Sequence, residues 1–142
     1  MTQPLTPPRG QRPKVLHFVT GGFSGATQVA VDLVRAHGVS GRFDALLVLR
    51  RKRTTLPERV RALQADGLRV ELVPGWSHAA TVWALASLCR RFQPDILVAH
   101  GYSEHLWGRY AGLLAGVRHM VHVEHNSREC YSAWRLVQAR WL

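Results

Sequence analysis

Residues 14–34 read KVLHFVTGGFSGATQVAVDLV and place an apolar run, a glycine-rich turn and a helical pattern in direct succession. The apolar run Val15–Val19 is typical of a β-strand. Three glycines follow it, a composition typical of a tight turn: Gly21, Gly22 and Gly25. From Ala26 onward, apolar residues recur at the spacing of one helix face, and Ser24 is the predicted N-cap of that helix. The stretch therefore predicts a strand, a turn and a helix, which is how an α/β fold begins.

The same succession recurs along the rest of the chain. Further apolar runs predict strands at residues 45–49, 70–73, 96–99 and 120–123. The run 45–49 is apolar on successive residues, as in a strand that is covered on both faces. Because each parallel pairing of strands needs a crossover helix, these units predict an α/β fold with a doubly wound, mostly parallel, Rossmann-like sheet.

Local signals predict where the intervening helices begin and end. Thr55-Leu-Pro-Glu58 predicts a capping box that opens a helix reaching about Asp66. Pro94 ends a predicted helix over residues 79–92, and Ser127 predicts the start of a last helix. For the helix after the fourth strand, the spacing predicts a buried stripe of four residues: Trp107, Tyr110, Ala111 and Leu114.

Composition limits the number of domains and the class of partner. The chain has 142 residues, of which 46% are hydrophobic and 20% charged, and this is typical of one globular domain. Its formal net charge of +10 predicts attraction to phosphates, anionic lipid or nucleic acid. Cys89 and Cys130 both lie in helical patterns, which argues against a disulfide framework and favours a reducing, cytoplasmic setting.

The first thirteen residues differ from the rest of the chain. Residues 1–13 contain four prolines and no apolar run, and they are predicted to form a disordered arm before a domain over residues 14–142. This arm lacks the hydrophobic stretch of a signal peptide, and the sequence has no run of roughly 18 apolar residues such as a membrane span needs. Secretion and membrane insertion are therefore disfavoured.

In a doubly wound sheet, ligands bind beyond the carboxyl ends of the strands, at the point where the strand order reverses. If the order is 3-2-1-4-5, strands one and four are neighbours at that point. The predicted site residues then come from the glycine turn and from the residues that follow strands four and five: Gly21, Gly22, Gly25, His100, Tyr102, Ser103, His125 and Asn126.

The glycine turn and the basic run both suggest anionic ligands. Backbone N–H groups of the turn, together with the N-terminus of the next helix, predict a phosphate cradle, although the spacing matches neither G-x-G-x-x-G nor the Walker pattern. The alternative is a tight turn without a ligand. A cluster of six basic residues predicts an anionic surface partner: Arg50, Arg51, Lys52, Arg53, Arg59 and Arg61. The stretch contains no aromatic residue, which favours lipid headgroups over single-stranded nucleic acid, and a merely solvated basic edge is the alternative.

The histidines do not predict a metal site. Alternation along the fifth strand puts His122 and Glu124 on one face and His125 on the other, so these groups cannot converge with His119 while the segment is extended. His17 lies inside the first strand and is interpreted as a core or rim histidine. His125 follows the fifth strand beside polar residues, where it could bond a sugar hydroxyl or, alternatively, cap the last helix.

Three segments of the chain resemble one known family. Residues 14–29 are similar to the opening of the N-terminal domain of family 4 glycosyltransferases, RFQPDILVAHG (91–101) to that family's strand-four signature, and VHVEHN (121–126) to its strand-five end. The resemblance covers nearly everything after the arm. It implies a GT-B enzyme, in which two Rossmann-like domains face each other and the N-terminal one binds most of the acceptor.

The resemblance also implies roles for individual residues. The turn with Gly21, Gly22 and Gly25 would approach the donor diphosphate, and His125 would be the catalytic group near the transferred sugar. The acceptor side would be lined by residues after strands four and five: His100, Tyr102, Ser103, His105, Asn126 and Arg128. Members of the family are generally retaining hexosyltransferases that use a nucleotide-sugar as co-substrate and need neither a metal nor another cofactor. The acceptor would be a sugar, a polysaccharide or a lipid-linked molecule at the inner face of the cell membrane, with the basic cluster against the bilayer.

One departure from the family is large, because the C-terminal donor domain is missing from this sequence. The chain stops within an apparent helix at Arg140-Trp-Leu142, which suggests a truncated product that is inactive alone. A second function remains open: a stand-alone basic module that binds phosphates or nucleic acid without catalysis. A third, a small phospho-acceptor regulator, is disfavoured because no acidic cluster follows the predicted strands.

Overall fold

The computed structural model of the protein describes residues 11–124. It contains nine helices and strands in strict alternation within that range: β1 Lys14–Thr20, α1 Gly25–Ser40, β2 Asp44–Arg50, α2 Pro57–Ala65, β3 Val70–Val73, α3 His78–Phe92, β4 Ile96–His100, α4 Tyr102–Ala115 and β5 His119–Val123. All five predicted strands and the first four predicted helices are confirmed. The last predicted helix lies outside the described residues, as do residues 1–10 of the predicted arm.

The five strands form one parallel sheet. Its order is β3-β2-β1-β4-β5, with Phe18 of β1 paired to Val48 of β2 on one side and to Ala99 of β4 on the other. The order reverses between β1 and β4, because the chain moves outward through β2 and β3 and then returns to the other side of β1. This confirms the doubly wound α/β prediction and the position of the switch point.

Two apolar layers cover the two faces of the sheet. On one face, Leu16 and Phe18 of β1 pack in a buried cluster with residues of α3 and α4. On the other face, Val19 packs with the buried sides of α1 and α2. Because neighbouring residues of β1 point to opposite faces and both faces are covered, residues 15–19 are all buried, and all of them except His17 are apolar. The central strand therefore anchors both layers.

The helix starts follow the predicted signals only in part. Thr55 was expected to open a capping box for α2, and this is wrong, since the N-cap is Leu56 and carries no side-chain cap. The Thr55 hydroxyl instead donates to the carbonyl of Gly21 at 2.9 Å and accepts from the Lys52 N–H at 2.8 Å. Ser24 is the N-cap of α1, as predicted, but its hydroxyl makes no cap hydrogen bond. The hydroxyl of Thr55 is therefore used to join two loops and not to start a helix.

The buried stripe of α4 differs from the predicted one. Trp107 and Ala111 are buried as predicted, but Tyr110 is 48% exposed and Leu114 57% exposed. The sheet side of the helix includes two glycines: a Cβ on Gly108 would lie 3.2 Å from the Cβ of Ala99, and one on Gly112 would lie 2.6 Å from the Sδ of Met120. Because these two glycines have no side chains, α4 can approach β4 and β5 closely. The side of α4 that lies against the sheet therefore differs from the side that the apolar pattern predicted.

The start of the described chain is attached to the sheet. The carbonyl of Pro13 accepts a hydrogen bond of 2.9 Å from the N–H of Asp44, although residues 11–13 have no regular structure.

Among the helices of residues 11–124, none is both long and apolar enough to cross a bilayer.

Candidate functional site

The turn between β1 and α1 lies at the switch point, and close packing against the backbone leaves no room for a side chain at Gly21. The N–H of Gly21 donates to the carbonyl of Arg50 at 2.8 Å, and a Cβ on Gly21 would lie 2.5 Å from that oxygen. Both polar backbone atoms of Gly21 are therefore used within the fold, since its carbonyl accepts from Thr55. A ligand phosphate at this turn would have to bind the N–H groups that follow, of which that of Gly22 lies 3.4 Å from the hydroxyl of Thr20.

The rest of the turn is more open. A Cβ on Gly22 would meet its neighbours only at ordinary distances of 3.5 Å or more, and one on Gly25 would meet nothing within 4 Å. Gly25 is the first residue of α1, so the N–H groups of this first helical turn have no partner within the helix. Between them, Phe23 has a φ of 53°, a left-handed conformation that is uncommon for a residue with a side chain. Gly22 and Gly25 therefore have the steric freedom that a phosphate cradle requires.

His100 ends β4 at the same edge of the sheet. Its side chain is fully buried, and its Nε2 lies 2.9 Å from the Nδ1 of His17 in β1. His17 is itself 2% exposed, which confirms its interpretation as a core histidine. The Nε2 of His100 is therefore in contact within the fold, and the acceptor-side role of His100 stays a prediction.

The structure adds a carboxylate that the sequence analysis missed. Glu104 lies in the first turn of α4, is only 7% exposed, and places its Oε2 3.0 Å from where a Cβ of Gly101 would be. Burial raises the pKa of Glu104, while a hydrogen bond from its own backbone N–H and the charges of Lys52 and Arg50 oppose the rise. A buried acid with a raised pKa at a switch-point edge can hold or donate a proton. An acidic residue three positions after the N-cap Gly101 is the sequence signal that could have identified it.

We expect Glu104→Gln to stabilise the protein at neutral pH. A carboxyl whose pKa is raised on folding contributes stability below its unfolded pKa and loses it as the pH rises through the folded value. The neutral amide does not ionise, so the melting temperature of the variant should exceed that of the wild type at pH 7 and converge with it near pH 4. Glu58→Gln, at an exposed position in α2, is the control. A variant that melts below the wild type at pH 7 would contradict the expected cost of the ionised carboxylate.

A second polar cluster lies beside β5. The rings of His105 and His122 are stacked, with centroids 4.0 Å apart, and the Nε2 of His122 lies 3.6 Å from the Oε2 of Glu124. Burial, followed by the nearby charges of His122 and Arg109, lowers the pKa of His105 to about 4, although Glu124 opposes the shift. His122 and Glu124 thus share a face as predicted. Within residues 11–124, no three His, Cys, Asp or Glu side chains are arranged to hold a metal ion.

The predicted basic cluster is divided by the structure. Arg50 is only partly exposed: its Nη2 donates to the carbonyl of Gly75 at 2.9 Å, and its guanidinium lies 3.9 Å from the ring centroid of Trp107. The β3–α3 loop therefore holds its guanidinium in place, and its assignment to the anion-binding surface stays a prediction. Five other basic residues remain exposed: Arg51, Lys52, Arg53, Arg59 and Arg61.

The exposed residues 51–53 form one wall of an open groove, which we call the basic groove. Its volume is about 1020 Å³, and it is lined by residues 50–54 after β2 and 72–76 around the end of β3. Trp76, which is 83% exposed, stands on the opposite wall. The absence of an aromatic residue from the basic stretch was the argument for lipid over nucleic acid, and the fold removes that argument by bringing Trp76 beside it.

The other predicted site residues are located less fully. The backbones of Tyr102 and Ser103 begin α4 at the switch-point edge. His125, Asn126 and Arg128 lie outside the described residues, and so does Cys130, whereas Cys89 is buried in α3 as predicted. The structure therefore brings the glycine turn, His100 and Glu104 to one edge, and the contribution of the fifth strand's end stays a prediction.

The chain is similar in structure to several solved proteins. Over 90% of its length it matches Anabaena HepE, solved in complex with UDP and glucose, with a TM-score of 0.68 and 20% identity. It matches the apo lipopolysaccharide outer core galactosyltransferase WaaB over 86% of its length with a TM-score of 0.65 and 13% identity. The UDP-GlcNAc 2-epimerase of Neisseria meningitidis, solved with bound UDP-GlcNAc, matches over 88% with a TM-score of 0.58 and 14% identity.

These similarities define the class of fold. The chain has the architecture of one Rossmann-like half of a GT-B protein and spans about a third of the length of the chains that it matches, between 34% and 35%. At identities of 20% or less the match shows the fold alone, and both transferases and epimerases are among the matched proteins. No protein-family model and no curated protein matches the sequence.

Proposed function

We propose that this chain is the acceptor-side half of a glycosyltransferase that uses a nucleotide-sugar donor. The observation that carries the proposal is the meeting of an open glycine turn, His100 and the buried Glu104 at the switch point of a GT-B-type sheet. The resemblance of three segments to family 4 and the structural similarity to two sugar transferases support it. Activity would require a donor-binding domain in addition to the described residues.

In this proposal the chain's own groups have separate tasks. The N–H groups of the first turn of α1 bind the donor diphosphate, whose negative charge the helix N-terminus favours, and the N–H of Gly22 joins them by leaving its 3.4 Å contact with the Thr20 hydroxyl. Glu104 exchanges a proton with a hydroxyl of the acceptor sugar, as its burial and raised pKa allow. His125 contacts the transferred sugar, as the resemblance implies. Family 4 membership, a retaining outcome and a hexosyl donor all belong to this proposal.

The acceptor binds along the basic groove. An acceptor with a phosphate or diphosphate near an apolar tail fits a groove with cationic residues 51–53 on one side and an exposed Trp76 on the other. Such molecules are held at membranes, and tryptophan beside basic residues is a combination that favours the bilayer surface. We therefore propose that the protein acts in the cytoplasm, peripherally at the inner face of the cell membrane.

The donor part of the proposal is tested by adding UDP to the ¹⁵N-labelled 142-residue chain. We expect the amide signals of Gly22, Gly25 and Ala26 to shift, while that of Gly38, at the opposite end of α1, stays in place. Gly22→Ala should keep the wild-type melting temperature, because its Cβ has room, yet lose these shifts because the methyl group blocks the backbone. The proposed phosphate cradle would be contradicted if the signals still shifted in Gly22→Ala, or if UDP shifted only signals of residues outside the turn.

The groove part is tested with vesicles that contain phosphatidylglycerol and with neutral vesicles as the reference. Replacing Arg51, Lys52 and Arg53 together by Gln should weaken binding to the anionic vesicles roughly 100-fold, since each basic residue near such a surface contributes about 1 kcal/mol. The matched control removes three exposed arginines from the opposite edge of the sheet: Arg42, Arg90 and Arg118. If the two triple variants lost the same amount of vesicle affinity, the binding would depend on the net charge of the protein and not on the basic groove.

The second candidate function is a basic module that binds nucleic acid, and the exposed Trp76 is the observation that favours it. It predicts that single-stranded DNA binds more tightly than anionic vesicles, with strong salt dependence, and that Trp76→Ala weakens DNA binding by stacking energy of about 1–3 kcal/mol. The glycosyltransferase is favoured instead if the chain, joined to a donor domain, transfers sugar and if His125→Ala sharply lowers the rate of that transfer.

A further inference from the structure

Two basic side chains from the segment that follows β2 lie beside the glycine turn. A Cβ on Gly22 would lie 3.6 Å from the Cδ of Lys52, and the guanidinium carbon of Arg59 lies 5.0 Å from the ring centroid of Phe23. Gly22 and Phe23 are successive residues of the turn. In the sequence, Lys52 and Arg59 belong to one basic cluster, but the fold places a side chain of each against the turn. Lys52 also borders the basic groove.

The contact with Phe23 leaves the donors of Arg59 available to a ligand. A guanidinium held over an aromatic ring keeps its N–H groups at its edges, where they can bond two phosphate oxygens at once. Phe23 is itself held in place, because it packs against the buried cluster of α1 and α2. Arg59 is exposed, in the first turn of α2. Its guanidinium can therefore bind an anion at the turn while it stays on the ring.

Neither cation is neutralised by an ion pair. Among residues 11–124, the arginines that form salt bridges are Arg35 and Arg69, and neither Lys52 nor Arg59 forms one. The charge of Lys52 does act on Glu104, but burial raises the pKa of that carboxyl and so disfavours its ionised form. Arg59 lies at the positive end of a helix, which adds to the local positive potential. A bound anion would relieve this repulsion.

We infer that Lys52 and Arg59 hold the two phosphoryl groups of a diphosphate at the glycine turn, with Phe23 as the positioning residue of Arg59. This inference rests on the proposed function and deepens it, since it assigns the cations that this half of the protein offers to the donor diphosphate. A diphosphate has one phosphoryl group for each cation, beside Gly22 and beside Phe23. The exposed Arg51 and Arg53 remain with the basic groove.

Binding of inorganic pyrophosphate to the full chain, measured by calorimetry, tests the inference. We expect Lys52→Gln and Arg59→Gln each to weaken binding roughly 10-fold, because each removes a charge-assisted hydrogen bond. Both side chains are exposed, so both variants should fold. Arg59→Lys should recover only part of the affinity, because an ammonium group has no planar fork.

Arg42→Gln is the matched control, because Arg42 is exposed at the opposite edge of the sheet and its loss changes the net charge equally. This variant should bind pyrophosphate as the wild type does. If it lost as much affinity as Lys52→Gln and Arg59→Gln, attraction by net charge would explain the binding and the inference would be overturned.

Phe23→Leu tests the positioning role, since leucine keeps an apolar side chain at this position but has no aromatic face. We expect it to weaken pyrophosphate binding about 3-fold in the wild type, as the loss of a cation–π contact predicts. In Arg59→Gln the same change should have no further effect. Equal effects in the two backgrounds would overturn the role of Phe23.

UDP and geranyl diphosphate distinguish the two sources of a diphosphate, a nucleotide-sugar donor and a lipid-linked acceptor. We expect Lys52→Gln and Arg59→Gln to bind UDP more weakly than the wild type. A loss of affinity for geranyl diphosphate alone would overturn the inference. If neither UDP nor pyrophosphate binds at the turn of the wild type, the phosphate cradle of the proposed function fails as well. If UDP binds there with the same affinity in the wild type and in both variants, this inference alone fails.

Discussion

The unfolding free energy of the wild-type chain is expected to fall by on the order of 5 kcal/mol between about pH 7.5 and pH 3 through His17 alone. The pKa of this histidine is lowered from 6.5 to about 3, chiefly by burial. A base whose pKa is lowered on folding binds its proton more readily in the unfolded chain. The stability it contributes is therefore complete above about pH 6.5, is lost as the pH falls towards 3, and falls no further below that.

Urea unfolding at several pH values measures this effect. Small domains have total stabilities of about 5–15 kcal/mol, so the loss decides whether the chain remains folded in acid. His17→Phe removes the titrating group and should flatten the acid limb of the stability curve, even if its stability at neutral pH is lower. His119→Phe keeps His17 and should retain the steep limb. Equal limbs for the wild type and His17→Phe would exclude His17 as the source of acid sensitivity.

Gly75→Ala is expected to destabilise the protein by about 3 kcal/mol, at the upper end of the usual overpacking range. A Cβ on Gly75 would overlap the carbonyl oxygen of Arg51, which belongs to the backbone and cannot rotate away. Relieving the overlap would separate the loops after β2 and β3. It would also break the hydrogen bond from Arg50 to the Gly75 carbonyl. Chemical denaturation measures the loss of stability, and tryptophan fluorescence reports the change around Trp76.

Gly38→Ala is the matched control for this prediction. Gly38 lies on the exposed side of α1, and a Cβ there would meet nothing within 4 Å. Replacing glycine by alanine within a helix should therefore stabilise the protein, by about 1 kcal/mol. Opposite signs at positions 38 and 75 are the expected result. A neutral effect at position 75 would mean that the two loops separate without cost.

The positions of the described strands along the chain could be predicted because burial on both faces leaves a strong local signal. The runs around Leu47 and Val98 are apolar on successive residues, as strands covered on both faces require. The alternation with helices then limits the topology, since parallel neighbours require crossovers of one hand. These features depend on residues that are close in the chain, which is why the sequence is sufficient for them.

Contacts between distant segments could not be predicted in the same way. The rotation of α4 depends on Gly108 and Gly112, whose effect is visible only when Ala99 and Met120 lie beneath them. The position of Glu104 in the first turn of α4 is a signal in the sequence, but its burial depends on groups from other elements. Arg50 is similar, because its partners Gly75 and Trp107 are 25 and 57 positions away in the sequence. Side-chain chemistry at the switch point therefore emerges from the fold and not from any one segment.

The hydrogen bonds around Thr55 join the glycine turn to the basic groove. Thr55 accepts from Lys52 at the groove and donates to Gly21 at the turn. A ligand that shifted the backbone of Lys52 would therefore also strain the hydrogen bond to the glycine turn. If both proposed places bind ligands, thermodynamic linkage requires that any effect of one ligand on the affinity of the other be reciprocal. Thr55 would then be the residue that couples the two loops.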